Sequence, residues 1–234
     1  MLINSFMCSG SHEYFGKKAE FGGGASMTDL AVLDEYAREQ IDRVAIQELV
    51  QRERTARDMQ QWDEFAASYS ENSWVDISWF KGTGADFAIA SAEMAKRGLS
   101  SFHHMSPTVT RIKGDRALAD TAVAIHLIAE LDGVEVDATS HARLYMRVER
   151  AYGRWLITGL RVVYIKDMIS PVNPSLKPLI DQAGIAQYLR SYCYISYILA
   201  KNGHDPKFDL PGIDRPELVS ALLNAEHQWL ERGY

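Results

Sequence analysis

Ser101-Phe102-His103-His104-Met105-Ser106-Pro107 sets two adjacent imidazoles at the head of a run of alternating, strand-type residues. Histidine titrates at about pH 6.5 in water, so one such ring in a dry pocket can take or release a proton near neutrality. A base of this kind needs an acidic partner, and Asp58, 46 residues before His104, lies near the end of a long helical pattern. Two neighbouring side chains on a strand point to opposite faces, so only one of the two rings can look into a pocket. Two more rings follow on later strands, His126, 22 residues after His104, and His141. Trp74, Phe102 and Tyr145 are candidates to line an apolar pocket for a ring-shaped ligand, although a curled sheet also uses aromatics as plain core. Read alone, the charges around Asp58 (Arg52-Glu53-Arg54, Arg57-Asp58) describe an ordinary solvated helix face.

The elements that must position these groups are legible as periods. Leu33, Tyr36, Ala37, Ile41, Val44, Ala45, Leu49 and Ala56 recur at three- and four-residue steps, which predicts one long amphipathic helix ending near Met59. A short helix over 62–69, a strand over 74–79 and a third helix over 85–97 follow. Lys113-Gly114-Asp115, Asp132-Gly133 and Tyr152-Gly153 are hairpin signals, and they divide the next stretch into consecutive antiparallel strands over about 102–112, 116–131, 134–150 and 154–168. Strands this long twist and curl, and a curled sheet with helices on its concave side makes a cone. After Pro171, Pro174 and Pro178 helical patterns return over about 179–201 and 214–232. The expected organisation is a loose leader over 1–27 with a Gly22-Gly23-Gly24 joint, a cone domain over 28–170 and a helical extension over 171–234.

Composition excludes several classes. The formal charge of −6 and the lack of a basic stripe argue against nucleic acid as partner. No apolar run reaches the roughly 18 residues that a membrane helix needs. Cys8 and Cys193 sit in no metal-ligand or redox spacing, which points to reduced thiols in a cytoplasmic protein. No HxH, HExxH or CxxC cluster is present, and adjacent histidines point apart, so neither a metal nor an organic cofactor is expected.

Three helices interleaved with one strand, then a four-strand antiparallel meander, resemble the nuclear transport factor 2-like α+β cone over residues 30–168. An acidic residue late in the first helix, followed by Phe102-His103-His104 opening the second strand, is similar to the SnoaL-like group, which includes scytalone dehydratase. The resemblance implies an Asp–His dyad that removes a proton from substrate carbon, with Asp58 on the aspartate position and His104, or failing it His103, on the histidine position. It also implies a general-acid role for His126 and charge stabilisation by Arg161, which interrupts an apolar pattern in the last strand and whose alternative is a salt bridge.

The expected function is therefore a cofactor-independent lyase or dehydratase acting on a small cyclic or polyketide-like molecule. The alternatives are a ketosteroid-type isomerase or cyclase on the same fold, and a non-catalytic subunit like the small subunit of ring-hydroxylating dioxygenases. Ala138, Ala142, Leu144 and Met146 are expected on the convex face of the sheet, where a monomer leaves them uncovered, so a homo-oligomer follows; the resemblance to the dehydratases implies a trimer, with a dimer as runner-up.

Overall fold

The structure, a computed structural model, describes residues 27–232, with side chains from residue 31 onward. The leader and its glycine joint lie outside the described residues. The chain divides into two units, Met1–Arg38 and Glu39–Tyr234. The described part of the first is helical, with Arg38 donating to Asp34 across one turn at 3.0 Å. The second unit holds the sheet and every later helix.

Helix α1 (Met27–Asp58) buries Ile46, Val50 and Ala56 against the concave face of a seven-stranded sheet. It stops in a Schellman-type cap. The Gln61 N–H donates to Ala56 O at 2.7 Å and the Gln60 N–H to Arg57 O at 3.2 Å, while Gln60 takes the left-handed φ of 58° that glycine usually supplies. The short helix α2 (Trp62–Ala67), strand β1 (Tyr69–Asp76), the two-residue β2 (Lys81–Gly82) and helix α3 (Gly84–Lys96) follow, α3 capped by the Thr83 hydroxyl on the Asp86 N–H. The meander is β3 (Ser100–Met105), β4 (Val109–Lys113), β5 (Arg116–Leu131), β6 (Val134–Ala151) and β7 (Arg154–Pro171), with no helix between its strands. The sheet order is β2-β1-β7-β6-β5-β3, with β4 also on β5. The Asp132-Gly133 and Tyr152-Gly153 turns carry two successive positive φ angles each, the type I′ geometry that matches strand twist.

Three expectations need revision. The strand expected over 102–112 is broken at Ser106-Pro107, because four steps from Met105 to Val109 oppose three from Val123 to Asp120, which is one extra residue and a bulge. The strand expected over 74–79 starts at Tyr69 and pairs parallel with β7, Trp74 opposite Gly159, so the sheet is mixed. Gly159 is needed there, since a Cβ on it would stand 2.4 Å from the Trp74 ring. The helix expected over 179–201 is split into α4 (Gln182–Ile185) and α5 (Cys193–Lys201). The Asp214 carboxylate takes both the Ser191 N–H and its hydroxyl, and Tyr192 donates to Phe208 O at 2.8 Å, so tertiary partners win the groups that a continuous helix would have used.

The face assignment of β6 is also reversed. Ala138, Ala142, Leu144 and Met146 are buried on the concave side, and the convex side carries Asp137, Thr139, His141, Arg143, Tyr145 and Arg147. These four residues therefore give no ground for an oligomer. Helix α5 packs over the sheet within the cone, and α6 (Pro216–Glu231) covers β4 and β5 on the convex side. No described helix is long and apolar enough to cross a membrane.

Candidate active site

Asp58 occupies the last helical position of α1, so the Schellman-type cap that ends the helix also aims this carboxylate at β3. Its Oδ1 lies 2.7 Å from His103 Nδ1, and its Oδ2 accepts the His103 backbone N–H at 2.8 Å. The register of β3 decides which ring is served. His103 stands opposite Ile125, whose side chain faces the cone interior, whereas His104 stands opposite Ala124 on the other face. A carboxylate on Nδ1 makes that nitrogen the donor and leaves Nε2 with the lone pair.

His103 is only 3% exposed at its side chain and Asp58 16%. Burial pushes the imidazole down, the Asp58 hydrogen bond opposes it, and the Arg54 and Arg57 guanidiniums add to the depression, leaving it at about 4. The ring is thus neutral at any ordinary pH. Burial raises the Asp58 carboxyl, but the two His103 N–H groups and the Arg57 charge outweigh it, so the net direction is down and the carboxylate is ionised.

The cavity in front of this pair is apolar over most of its wall, with Trp79, Phe87, Ile125, Leu144 and Val162 from the cone and Ile195 and Leu199 from α5. The C-terminal extension therefore supplies part of the wall. One end is charged: Arg54 and Arg57 line it together with Ser101 and His103. Glu53 is fully buried, forms a two-point ion pair with Arg54 and accepts the Tyr69 hydroxyl at 2.5 Å. Both guanidiniums lie over Phe87, at 5.8 and 5.7 Å. Tyr164 lines the cavity as well, its oxygen accepting the Ser78 N–H at 3.1 Å.

Of the residues singled out from the sequence, Asp58 and His103, the second choice of ring, form the pair at the cavity, and His104 is turned away from it. His104, His126 and Phe102 do come together, but on the convex face: His104 Nδ1 is 3.2 Å from His126 Nε2, His126 Nδ1 is 2.7 Å from Asp137 Oδ2, and Phe102 stacks on the His126 ring at 4.4 Å. His141 shares that face. Tyr145 lines a groove beneath α6 with Leu118, Leu223 and His227. Trp74 and Arg161 are stacked 4.9 Å apart, and Arg161 lies 3.9 Å from the buried Glu226, which Arg147 also holds. The salt-bridge alternative for Arg161 is the one present. One slip in alternation explains all of these displacements, since a strand's two faces differ by a single residue.

The sequence reading missed Arg54, Arg57 and Ser101, and took the charges at the end of α1 for a solvated face. A signal existed. Ile46, Val50, Glu53, Arg54 and Arg57 continue one helical stripe at three- and four-residue steps, so whatever buries Ile46 and Val50 buries the charges too. Among the described residues no three His, Cys, Asp or Glu side chains converge as a metal site.

A family model described as a SnoaL-like domain matches residues 38–161. Two proteins of Fusarium vanettenii are similar over most of their length: a PEP2-like protein, 26% identical over 204 residues (82% of this chain, 86% of the relative), and Pea pathogenicity protein 2, 29% identical over 203 residues (83% and 85%). Among solved structures, Rv3472 of Mycobacterium tuberculosis, a protein of unknown function, matches with a TM-score of 0.50 at 16% identity, covering 74% of this chain and 97% of that one, a likeness of fold. The sheet is mixed and curved, and the family match over more than half of the chain shows that the protein belongs to the SnoaL-like domain family.

Proposed function

We propose that the protein is a cofactor-independent lyase that removes a carbon-bound proton from a small cyclic substrate, with His103 as base and Asp58 as the group that orients it. The observation that carries this reading is the doubly held Asp58–His103 pair facing an apolar cavity. His103 Nε2 takes the proton from carbon, the C–H electron pair forms a C=C bond as the bond to a β-hydroxyl breaks, and the imidazolium returns its proton to the departing hydroxide as water. Asp58 stabilises the imidazolium while it exists and keeps the proton on Nδ1 throughout.

A second reading, isomerase, has a specific observation in its favour. His126, expected as a separate proton donor, lies outside the cavity, so one ring has to do both proton transfers, which is also the demand of moving a proton between two carbons. Against a non-catalytic subunit stands the lining of the cavity, where His103 is set among apolar walls beside two guanidiniums.

The experiment is incubation of the purified protein with hydroxylated alicyclic ketones in deuterated water, following deuterium uptake at carbon and loss of water by mass spectrometry. Exchange with elimination supports the lyase, and exchange with a shifted double bond supports the isomerase. Absence of exchange across the panel, or exchange by a His103→Gln variant at the wild-type rate, removes both readings.

A further inference from the structure

Arg54 and Arg57 both line the charged end of the cavity, yet they are provided for differently. Arg54 has its own carboxylate, since Glu53 grips it at two points from complete burial. Arg57 has none. It is 7% exposed, donates from Nη1 to the Ser101 hydroxyl at 2.6 Å, and its Nε–H is buried without a hydrogen-bond partner. The Asp58 charge is felt by Arg57, its neighbour in sequence, but both Asp58 oxygens are hydrogen-bonded to His103 and none to Arg57. A cation out of water with an unused donor is costly to keep, and buried charges are normally paired. Its guanidinium is destabilised accordingly, burial and the Arg54 charge bringing it down to about 10 against the opposing charges of Asp58 and Glu53.

We infer that Arg57, with Ser101, is the oxyanion-holding group of the cavity, and that the ligand is an apolar ring bearing one oxygen that is, or becomes during reaction, an enolate or phenolate. The ring would lie against Trp79, Phe87, Ile125 and Leu144, and the oxygen at the Arg57 end beside His103. This rests on the proton-abstraction reading above for its chemistry and accounts for a feature that reading leaves open. An imidazole depressed to about 4 is a weak base, and two guanidiniums contribute to that depression. Negative charge developing at Arg57 offsets them, so His103 becomes more basic as the proton moves. Taking the proton from the carbon next to a carbonyl places that charge on the carbonyl oxygen, with no other reactant required.

The test is direct binding of 4-nitrophenol to the full-length protein, read from the absorbance that distinguishes phenolate from phenol, in wild type, Arg57→Met, Arg57→Lys and His103→Gln. Wild type is expected to bind the phenolate in preference to the phenol and to lower the probe's apparent pKa. Arg57→Met is expected to weaken phenolate binding by about 10- to 100-fold, the range for hydrogen bonds to charged groups, and to abolish the preference, with partial rescue in Arg57→Lys. His103→Gln is expected to keep the preference, which separates this inference from the proton-abstraction reading: phenolate binding that depends on Arg57 in a protein that exchanges no carbon-bound proton upholds the first and removes the second. The inference is overturned if wild type fails to bind the probe or binds it as the neutral phenol, an outcome that needs no variant to fold, or if folded Arg57→Met binds phenolate as tightly as wild type.

Discussion

Asp58 holds His103 at two points, ring Nδ1 at 2.7 Å and backbone N–H at 2.8 Å, so one carboxylate fixes both the strand and the ring that the strand carries. Because His103 offers it two donors, the position needs two acceptors, and aspartate is the side chain of that length that supplies them.

Asn at position 58 has one acceptor and an amide that would meet a donor. The ring then turns or changes tautomer and Nε2 loses its lone pair. Asp58→Asn and His103→Gln are each expected to lower kcat/KM by about 10²–10⁴-fold, the contribution of a positioned base, with far-UV circular dichroism unchanged. His104→Gln and His126→Gln, on the convex face, are expected to stay within about twofold of wild type. A hundredfold loss in His104→Gln would return the catalytic role to the neighbouring ring.

The pH dependence of kcat/KM follows from the His103 environment. The base form is required, and with the ring held at about 4 the acid limb is expected to fall there and not near 6.5. Removing the Arg57 charge lifts one of the depressing influences, so Arg57→Met moves this limb to higher pH. A limb at the same pH in both proteins contradicts the assignment.

The same ring makes stability depend on pH. Its folded-state value lies below that of the unfolded chain, so the folded protein binds the proton less readily. The stability tied to the neutral ring is fully present above about pH 6.5 and is lost as pH falls toward 4, by about 3 kcal/mol for a shift of this size. His103→Gln is expected to flatten that part of the profile in denaturant titrations, and an unchanged slope would count against it.

Asp167 works in the opposite sense. From β7 it accepts the Ile195 N–H at 2.8 Å within the first turn of α5, and burial raises it to about 6 in spite of that hydrogen bond. The folded value lies above the unfolded one, so its stabilising effect is present below about pH 3.8 and is lost as pH rises through 6. Asp167→Asn is therefore expected to raise the melting temperature at pH 7.5 relative to wild type and to bring no gain at pH 4. A variant that is equally affected at both values would remove this account.

On the convex face, Glu226 of α6 is nearly buried and accepts from Arg147 Nε at 2.6 Å. Truncating it leaves a half-buried guanidinium without its carboxylate, so Glu226→Ala is expected to cost about 3 kcal/mol in urea unfolding. Arg161→Ala is expected to cost less and to leave turnover intact, since Glu226 keeps Arg147. A loss of turnover with unchanged stability in Arg161→Ala would restore the charge-stabilising role that its place in the last strand suggested.

The period of each element and the turns between elements were legible in the residues. Asp132-Gly133 and Tyr152-Gly153 specify hairpins through backbone conformations that few other pairs adopt, and the strands between them came out within a few residues. Asp58 was legible as well, because a helix end fixes where its last side chain lies. The phase of the strands was not. Alternation states that His103 and His104 face opposite ways, and likewise Ala138 and Thr139, but not which way is in. That is decided when the stripe of Ile46, Val50 and Ala56 on α1 covers one face of the sheet, and one step in register exchanges the two faces entirely. For the same reason Glu53, Arg54 and Arg57 read as a solvated patch until tertiary packing took them out of water, where the strength of their interactions and the cost of leaving Arg57 without a hydrogen-bonded carboxylate both rise as the effective dielectric falls.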